Sequence, residues 1–223
     1  IANAVSFAAV LVSLASIRKE ELHAQRRKGP RAKLVEGFRY VAGRPDLQVV
    51  LFMLFVYGTF GLNFPIFIST MSVGAFHRGA REYGLLTSSM AIGSVAGALL
   101  SARREKPSVR LLVIGAFVFG GGLTLAAAMP TFATFAIALV LVGVAAQTFT
   151  TTANGTVQLS TEPGMRGRVM AMFLAITLGG TPVGAPLVGW VADRYGPRWS
   201  LGVGAMAGMV AALTGLVYLA RRR

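Results

Sequence analysis

Residues 132–158 read FATFAIALVLVGVAAQTFTTTANGTVQ, a run without a single charge. A helix needs ~20 predominantly apolar residues to cross the ~30 Å hydrocarbon core of a bilayer, so this run is long enough to span a membrane. Its second half is not apolar. Gln147, Thr151, Asn154 and Gln158 fall at i, i+4, i+7 and i+11, with Thr150 beside them. That spacing draws amides and hydroxyls into one stripe along a helix. A membrane helix with such a stripe either bonds its neighbours with it, at ~0.6–2 kcal/mol per bond, or turns it toward water.

Runs of the same kind predict spans at 1–17, 48–73, 84–102, 111–129, 169–191 and 199–220, seven in all with 132–158. The composition agrees: 54% of residues are hydrophobic and 13% are charged, with a mean hydropathy of +0.64. An ordinary soluble domain carries about 25% charged residues. The fold class is therefore all-α and membrane-spanning.

The cations divide by connection. Arg18, Lys19, Arg26, Arg27, Lys28, Arg31, Lys33, Arg39 and Arg44 lie between the first two spans. Arg103, Arg104, Lys106 and Arg110 lie between the third and fourth, Arg166 and Arg168 between the fifth and sixth, and Arg221, Arg222 and Arg223 end the chain. Only Arg78, Arg81, Arg194 and Arg198 fall on the other side. The positive-inside rule places the first connection and the C-terminus in the cytoplasm and Ile1 outside. A net charge of +14 could suggest nucleic acid, but that reading needs a reader motif on a basic face. Here the cations flank apolar helices and meet anionic headgroups, so the expected partner is the lipid bilayer.

The chain contains no Cys, which excludes disulfides, thiol catalysis and Cys-based metal sites. His23 and His77 sit in connections, and no metal or cofactor is expected. There is no Asp pair, no HExxH and no Ser with a His partner, so an enzyme is not expected. The chain opens inside an apolar run with neither Met nor a signal peptide's basic leader, and reads as a piece of a longer product.

Residues 18–47 read as a basic amphipathic linker. Leu34, Phe38 and Val41 recur at helical spacing, as in helices that lie in the membrane interface. Gly43, Arg44 and Pro45 end that helix. Small-xxx-small spacings at Gly93/Gly97, Gly180/Gly184 and Gly204/Gly208 permit close helix approach. The sixth span holds Gly179, Gly180, Pro182, Gly184 and Pro186, and interior prolines bend a helix.

All eight acids (Glu20, Glu21, Glu36, Asp46, Glu82, Glu105, Glu162 and Asp193) map to connections or span ends. Membrane proton relays usually use buried Asp, Glu or His, so no coupling carboxylate is expected in these spans. The polar candidates for a cavity wall are Gln147, Thr151 and Asn154, with Thr59 and Asn63 in the second span and Thr177 and Thr181 in the sixth. Gln48, Thr59, Asn63 and Thr70 share a face of the second span, although Pro65 disturbs the register. Interhelical hydrogen bonding is the competing reading for each, and a Thr can also bond its own helix carbonyl.

Residues 151–205 resemble the C-terminal half of major facilitator superfamily transporters, in particular the bacterial efflux branch that includes the enterobactin exporter. PGMRGRVM, Pro163–Met170, is similar to the segment before helix 11 of the family. GWVADRYGPRWSL, Gly189–Leu201, resembles the G-x-L-A-D-R-x-G-R loop motif. LVEGFRYVAGRPDL, residues 34–47, resembles the linker leading to helix 7. Two departures stand out. The motif match lies between the last two spans, and Ser101 stands where the motif has Asp in the loop from Gly97 to Leu111.

The resemblance implies helix 6 at 1–17 closing an N-terminal half, a cytoplasmic linker at 18–47, a six-helix bundle at 48–220 and a cytoplasmic tail at 221–223. It implies a proton-coupled antiporter of the bacterial inner membrane that exports drugs or siderophore-like metabolites by alternating access. The partners would be a small solute and an N-terminal six-helix half. Gly180, Pro182, Gly184 and Pro186 would form the bend that closes one end of the cavity. Glu162, Arg166, Gly167 and Arg168, with Gly189, Asp193, Arg194 and Gly196, would serve as interdomain and loop contacts. A nutrient uptake permease of the same architecture and a non-transporting membrane subunit are the alternatives.

Overall fold

The computed structural model describes residues 10–13, 16, 34–103 and 107–221. The chain divides into two compact units, residues 1–32 and 33–223. Of the first, residues 10–13 are helical and Ser16 Oγ donates to the Val12 carbonyl. Most of the expected 1–17 span and of the linker up to Lys33 lies outside the described residues.

Among the described residues of the second unit, every regular element is a helix. A short helix α1, Leu34–Ala42, precedes six long ones: α2 Pro45–Ala75, α3 Ala80–Ala102, α4 Val109–Ala128, α5 Phe132–Ser160, α6 Arg166–Tyr195 and α7 Pro197–Arg221. All six are long and apolar enough to cross a membrane. Most begin a few residues before the expected spans, because their first turns carry charges such as Asp46, Arg81 and Arg198 that hydropathy does not count as span.

Local chemistry sets the ends. Pro45 opens α2, where the missing N–H has no helical partner to lose. Ser108 caps α4 by accepting from the Leu111 amide, and Thr131 and Thr134 form a reciprocal cap on α5. Gly196, with φ of 102°, makes the one-residue connection from α6 to α7, a conformation that side chains disfavour.

In lipid, apolar burial does not drive helices together, so close packing of small residues must. Each Gly pair foreseen in the sequence sits at such a contact. A Cβ on Gly93 would strike the Val140 carbonyl of α5, and one on Gly143 would strike Met90 and Ser94 of α3. A Cβ on Gly208 would lie 2.8 Å from the Gly120 amide of α4. One on Gly204 would lie 2.8 Å from Leu123 and 2.9 Å from Phe67. The pairs α3–α5, α4–α5, α4–α7 and α7–α2 link the bundle, with α6 against α2. At its centre Tyr57 of α2 stacks on Phe149 of α5 at 4.2 Å and tilts against Phe119 of α4 at 4.5 Å.

Two helices are interrupted. In α2 a π-turn at Tyr57–Gly61 runs into a break at Leu62 and Asn63, ahead of Pro65, and a second π-turn covers Met71–Ala75. In α6 the helix divides at Gly180 between Arg166–Gly179 and Thr181–Tyr195. Gly93→Ala is expected to destabilise the full-length protein by about 1–3 kcal/mol through overpacking. Gly121→Ala, where a Cβ meets nothing within 4 Å, is expected to leave stability unchanged or raise it. Thermal unfolding in detergent checks both.

Candidate functional site

The polar stripe of α5 lies open. Thr151 and Gln158 are exposed, and Gln147 and Asn154 half-buried. Gln147 Nε2 donates to Thr151 Oγ1 at 3.2 Å, and Gln158 Nε2 donates to Asn154 Oδ1 at 2.6 Å. Both bonds run along α5 itself, and neither ties it to another helix. Gln147 also marks where α3 and α5 meet, since a Cβ on Gly97 would lie 3.2 Å from Gln147 Cβ. From there the stripe runs toward Ser160, the end of α5 that meets the α1–α2 connection.

The sequence reading missed a second polar strip, on α3. Thr87, Ala91, Ser94, Ala98 and Ser101 follow one another at helical spacing, beside the Gly93 and Gly97 contact. Thr87 and Ser94 donate to the carbonyls of Tyr83 and Met90. The opposite side of α3 is apolar: Leu85, Ile92 and Leu99 are 53%, 65% and 63% exposed. The signal was present in the sequence as a period of small and hydroxylated residues.

Thr59 and Asn63 are placed differently from the rest, each only 1% exposed. Asn63 Nδ2 donates to the Thr59 carbonyl at 2.8 Å. Gly180 and Gly184 of α6 lie against Thr59. A Cβ on Gly180 would lie 2.6 Å from Thr59 Oγ1, and one on Gly184 would fall on the Thr59 carbonyl. Pro182 and Pro186 point outward from this contact. Thr177 is half-buried and donates to the Phe173 carbonyl at 2.8 Å, and Thr181 is half-buried at the α6 division. The π-turn breaks the shared face expected on α2. Gln48 does not join Thr59 there but caps α1, donating to the carbonyls of Val41 and Ala42.

The basic end is knitted from within. Arg44 forms a two-pronged pair with Asp46 at 2.8–3.0 Å, donates to Tyr40 Oη at 3.0 Å and to the Ser160 carbonyl at 2.8 Å. The bond to Asp46 pushes the Arg44 guanidinium further above its ordinary value. Tyr40 Oη accepts from the Glu162 amide at 3.3 Å. Arg168 pairs with Glu36 of α1 at 2.9 Å, and a Cβ on Gly37 would lie 3.2 Å from Arg168 Cβ. Arg166 Nε donates to the Gln158 carbonyl at 3.1 Å, and Gly167 is exposed. At the other end Arg198 donates to the Ala127 carbonyl at 2.6 Å. Asp193 and Arg194 are exposed near Gly196, and Gly189 is half-buried. No group of three or more His, Cys, Asp and Glu that could hold a metal occurs among the described residues.

The sequence matches, over residues 1–222, the family described as transmembrane secretion effector, a branch of the major facilitator superfamily. The chain belongs to this family. Its fold is that of the superfamily: it is similar to the crystal structure of the E. coli fucose:proton symporter with a TM-score of 0.66 at 17% identity, over 96% of this chain and 52% of that one. The chain thus spans about half the length of that protein. No curated protein matched the sequence. A major facilitator chain is a multi-pass membrane protein of a transporter family and not an enzyme.

Within this family fold, the Arg44 bracket joins α1, α2 and the end of α5. Arg44→Ala is expected to lower stability by about 1–3 kcal/mol, the cost of leaving charged partners unmatched. Arg39→Ala, at an exposed position, is expected to stay within about 0.5 kcal/mol. Thermal unfolding of both variants makes the comparison.

Proposed function

We propose that this chain is the C-terminal half of a secondary transporter that exports small amphipathic solutes by alternating access, with α5 and the hydroxyl strip of α3 forming one wall of the solute path. The observation that carries the reading is the open, uncharged stripe Gln147–Thr151–Asn154–Gln158. Hydrocarbon offers such groups no partners, so the stripe belongs against water or a polar surface. The family's description as a secretion effector supports the outward direction.

The wall bears amides and hydroxyls and no charge, which suits a neutral or weakly basic solute such as a drug or siderophore-like metabolite. The protein of similar fold is a proton symporter. Every acid in the described spans lies in a first or last turn, so a proton-coupling carboxylate belongs to the N-terminal half. That half would cover α3 and α6, the least buried of the six spans. The charge distribution supports a cytoplasmic location for the basic end, and the resemblance to bacterial exporters supports the inner membrane of a bacterium.

Ethidium efflux from cells carrying the full-length protein tests this reading. Cells lacking it are expected to accumulate more dye. Asn154→Leu is expected to slow efflux about fivefold, one hydrogen bond of ~1 kcal/mol, at unchanged membrane abundance. Pro182→Leu should lower efflux in the same way. Lower dye accumulation without the protein would indicate uptake, and unchanged accumulation would indicate a subunit that does not transport.

A further inference from the structure

We propose that Thr59 and Asn63, joined through the Thr59 carbonyl, form a concealed hydrogen-bonding site for the transported solute, covered in this conformation where Gly180 and Gly184 pack on Thr59 and uncovered when α6 bends at Gly180. The proposal rests on the transport reading and adds a site to it.

Three observations meet at this point. First, both side chains are 1% exposed, and Thr59 Oγ1 and Asn63 Oδ1 have no hydrogen-bond partner among the described residues. Buried polar atoms are nearly always bonded, and an exception calls for an explanation. Second, both crossing helices have interrupted hydrogen-bond ladders here. In α2 the interruption is the π-turn Tyr57–Gly61 and the break at Asn63. In α6 it is Gly180, followed by Pro182, which lacks the N–H that would reach the Leu178 carbonyl. Such interruptions are where helices bend. Third, the surface packed on Thr59 is glycine, Gly180 and Gly184, which presents no side chain to Thr59 Oγ1 and leaves it unmatched. A solute that bonds them stabilises the uncovered state by its preference for that state alone.

The free atoms define the ligand. The Asn63 amide nitrogen is engaged by the Thr59 carbonyl, which leaves the Asn63 oxygen as an acceptor and the Thr59 hydroxyl, which can also accept. The pair takes an O–H or N–H donor. No acid lies in α2 beyond Asp46 or in α6 before Asp193, so recognition at this point is of an N–H or O–H donor group and not of whatever charge the solute carries elsewhere.

The test uses the full-length transporter in membranes, carrying Asn63→Cys, treated with a membrane-impermeant maleimide and compared with the parent. Labelling is expected, and Pro182→Leu, which restores the missing N–H, is expected to slow it about tenfold. Ethidium, whose aryl amines are N–H donors, is expected to be exported more slowly by Asn63→Cys, which lacks the acceptor, than by the parent at equal membrane abundance. A cysteine that never labels, or labels equally fast with Pro182→Leu, overturns the concealed site. Ethidium export unchanged in Asn63→Cys overturns the ligand assignment. Labelling as expected without any ethidium export overturns the transport reading and leaves the site standing. Independently, Thr59→Val is expected to raise Tm by about 2 °C by removing an unmatched hydroxyl, and Thr59→Ser is not. A fall in Tm with Thr59→Val would show that the hydroxyl is bonded at rest and would overturn the proposal.

Discussion

Hydrocarbon cannot hydrogen-bond, and this constraint orders the whole molecule. Each spanning segment must satisfy its own backbone, which leaves helices as the only choice for an open chain. It also dictates where irregular backbone is allowed. The π-turn at Tyr57–Gly61 lies against α4, α5 and α6, where Tyr57, Gly58, Thr59 and Gly61 are all buried. The division of α6 at buried Gly180 faces Thr59. The irregular backbone at these two places is packed against protein rather than lipid.

Holding such helices together is a separate problem, because apolar side chains are as content in lipid as in a core. The bundle solves it with contact distance. Gly93, Gly97 and Gly143 draw α3 and α5 together, while Gly120, Gly204 and Gly208 do the same for α4 and α7. The price is a surface with little freedom to change, since a methyl group at Gly93 already meets backbone. The interrupted ladders of α2 and α6 meet each other, at a glycine contact as close as those of the regular helices.

The six described spans, the Gly contacts and the α6 bend were legible because they depend on local composition and period. Gly196 was legible only as part of a resemblance, and its left-handed backbone gives it a turn role of its own. Of the face expected for Gln48, Thr59, Asn63 and Thr70, Thr59 and Asn63 stay together while Gln48 caps α1 instead, and a π-turn inserts a residue that rotates the rest of the helix by about 100°. No period in the sequence announces that insertion. The Arg44–Ser160 bond and the Glu36–Arg168 pair were hidden for another reason: their partners are distant in sequence, and pairing across helices leaves no mark in either helix alone. The α3 hydroxyl strip was readable but weak, since it is interrupted by Ala91 and Ala98 and its Thr87 and Ser94 bond their own helix, as isolated Ser and Thr do.

The central claim is that the uncharged stripe of α5 faces water. In membranes containing the full-length protein, a membrane-impermeant maleimide should label Thr151→Cys and leave Ile92→Cys, on the apolar side of α3, unmodified. Labelling of Thr151→Cys without detergent is the result the account requires. Protection of Thr151→Cys until the bilayer is dissolved would place the stripe against lipid or a dry helix contact, and the wall assigned to the solute path would have to be sought elsewhere.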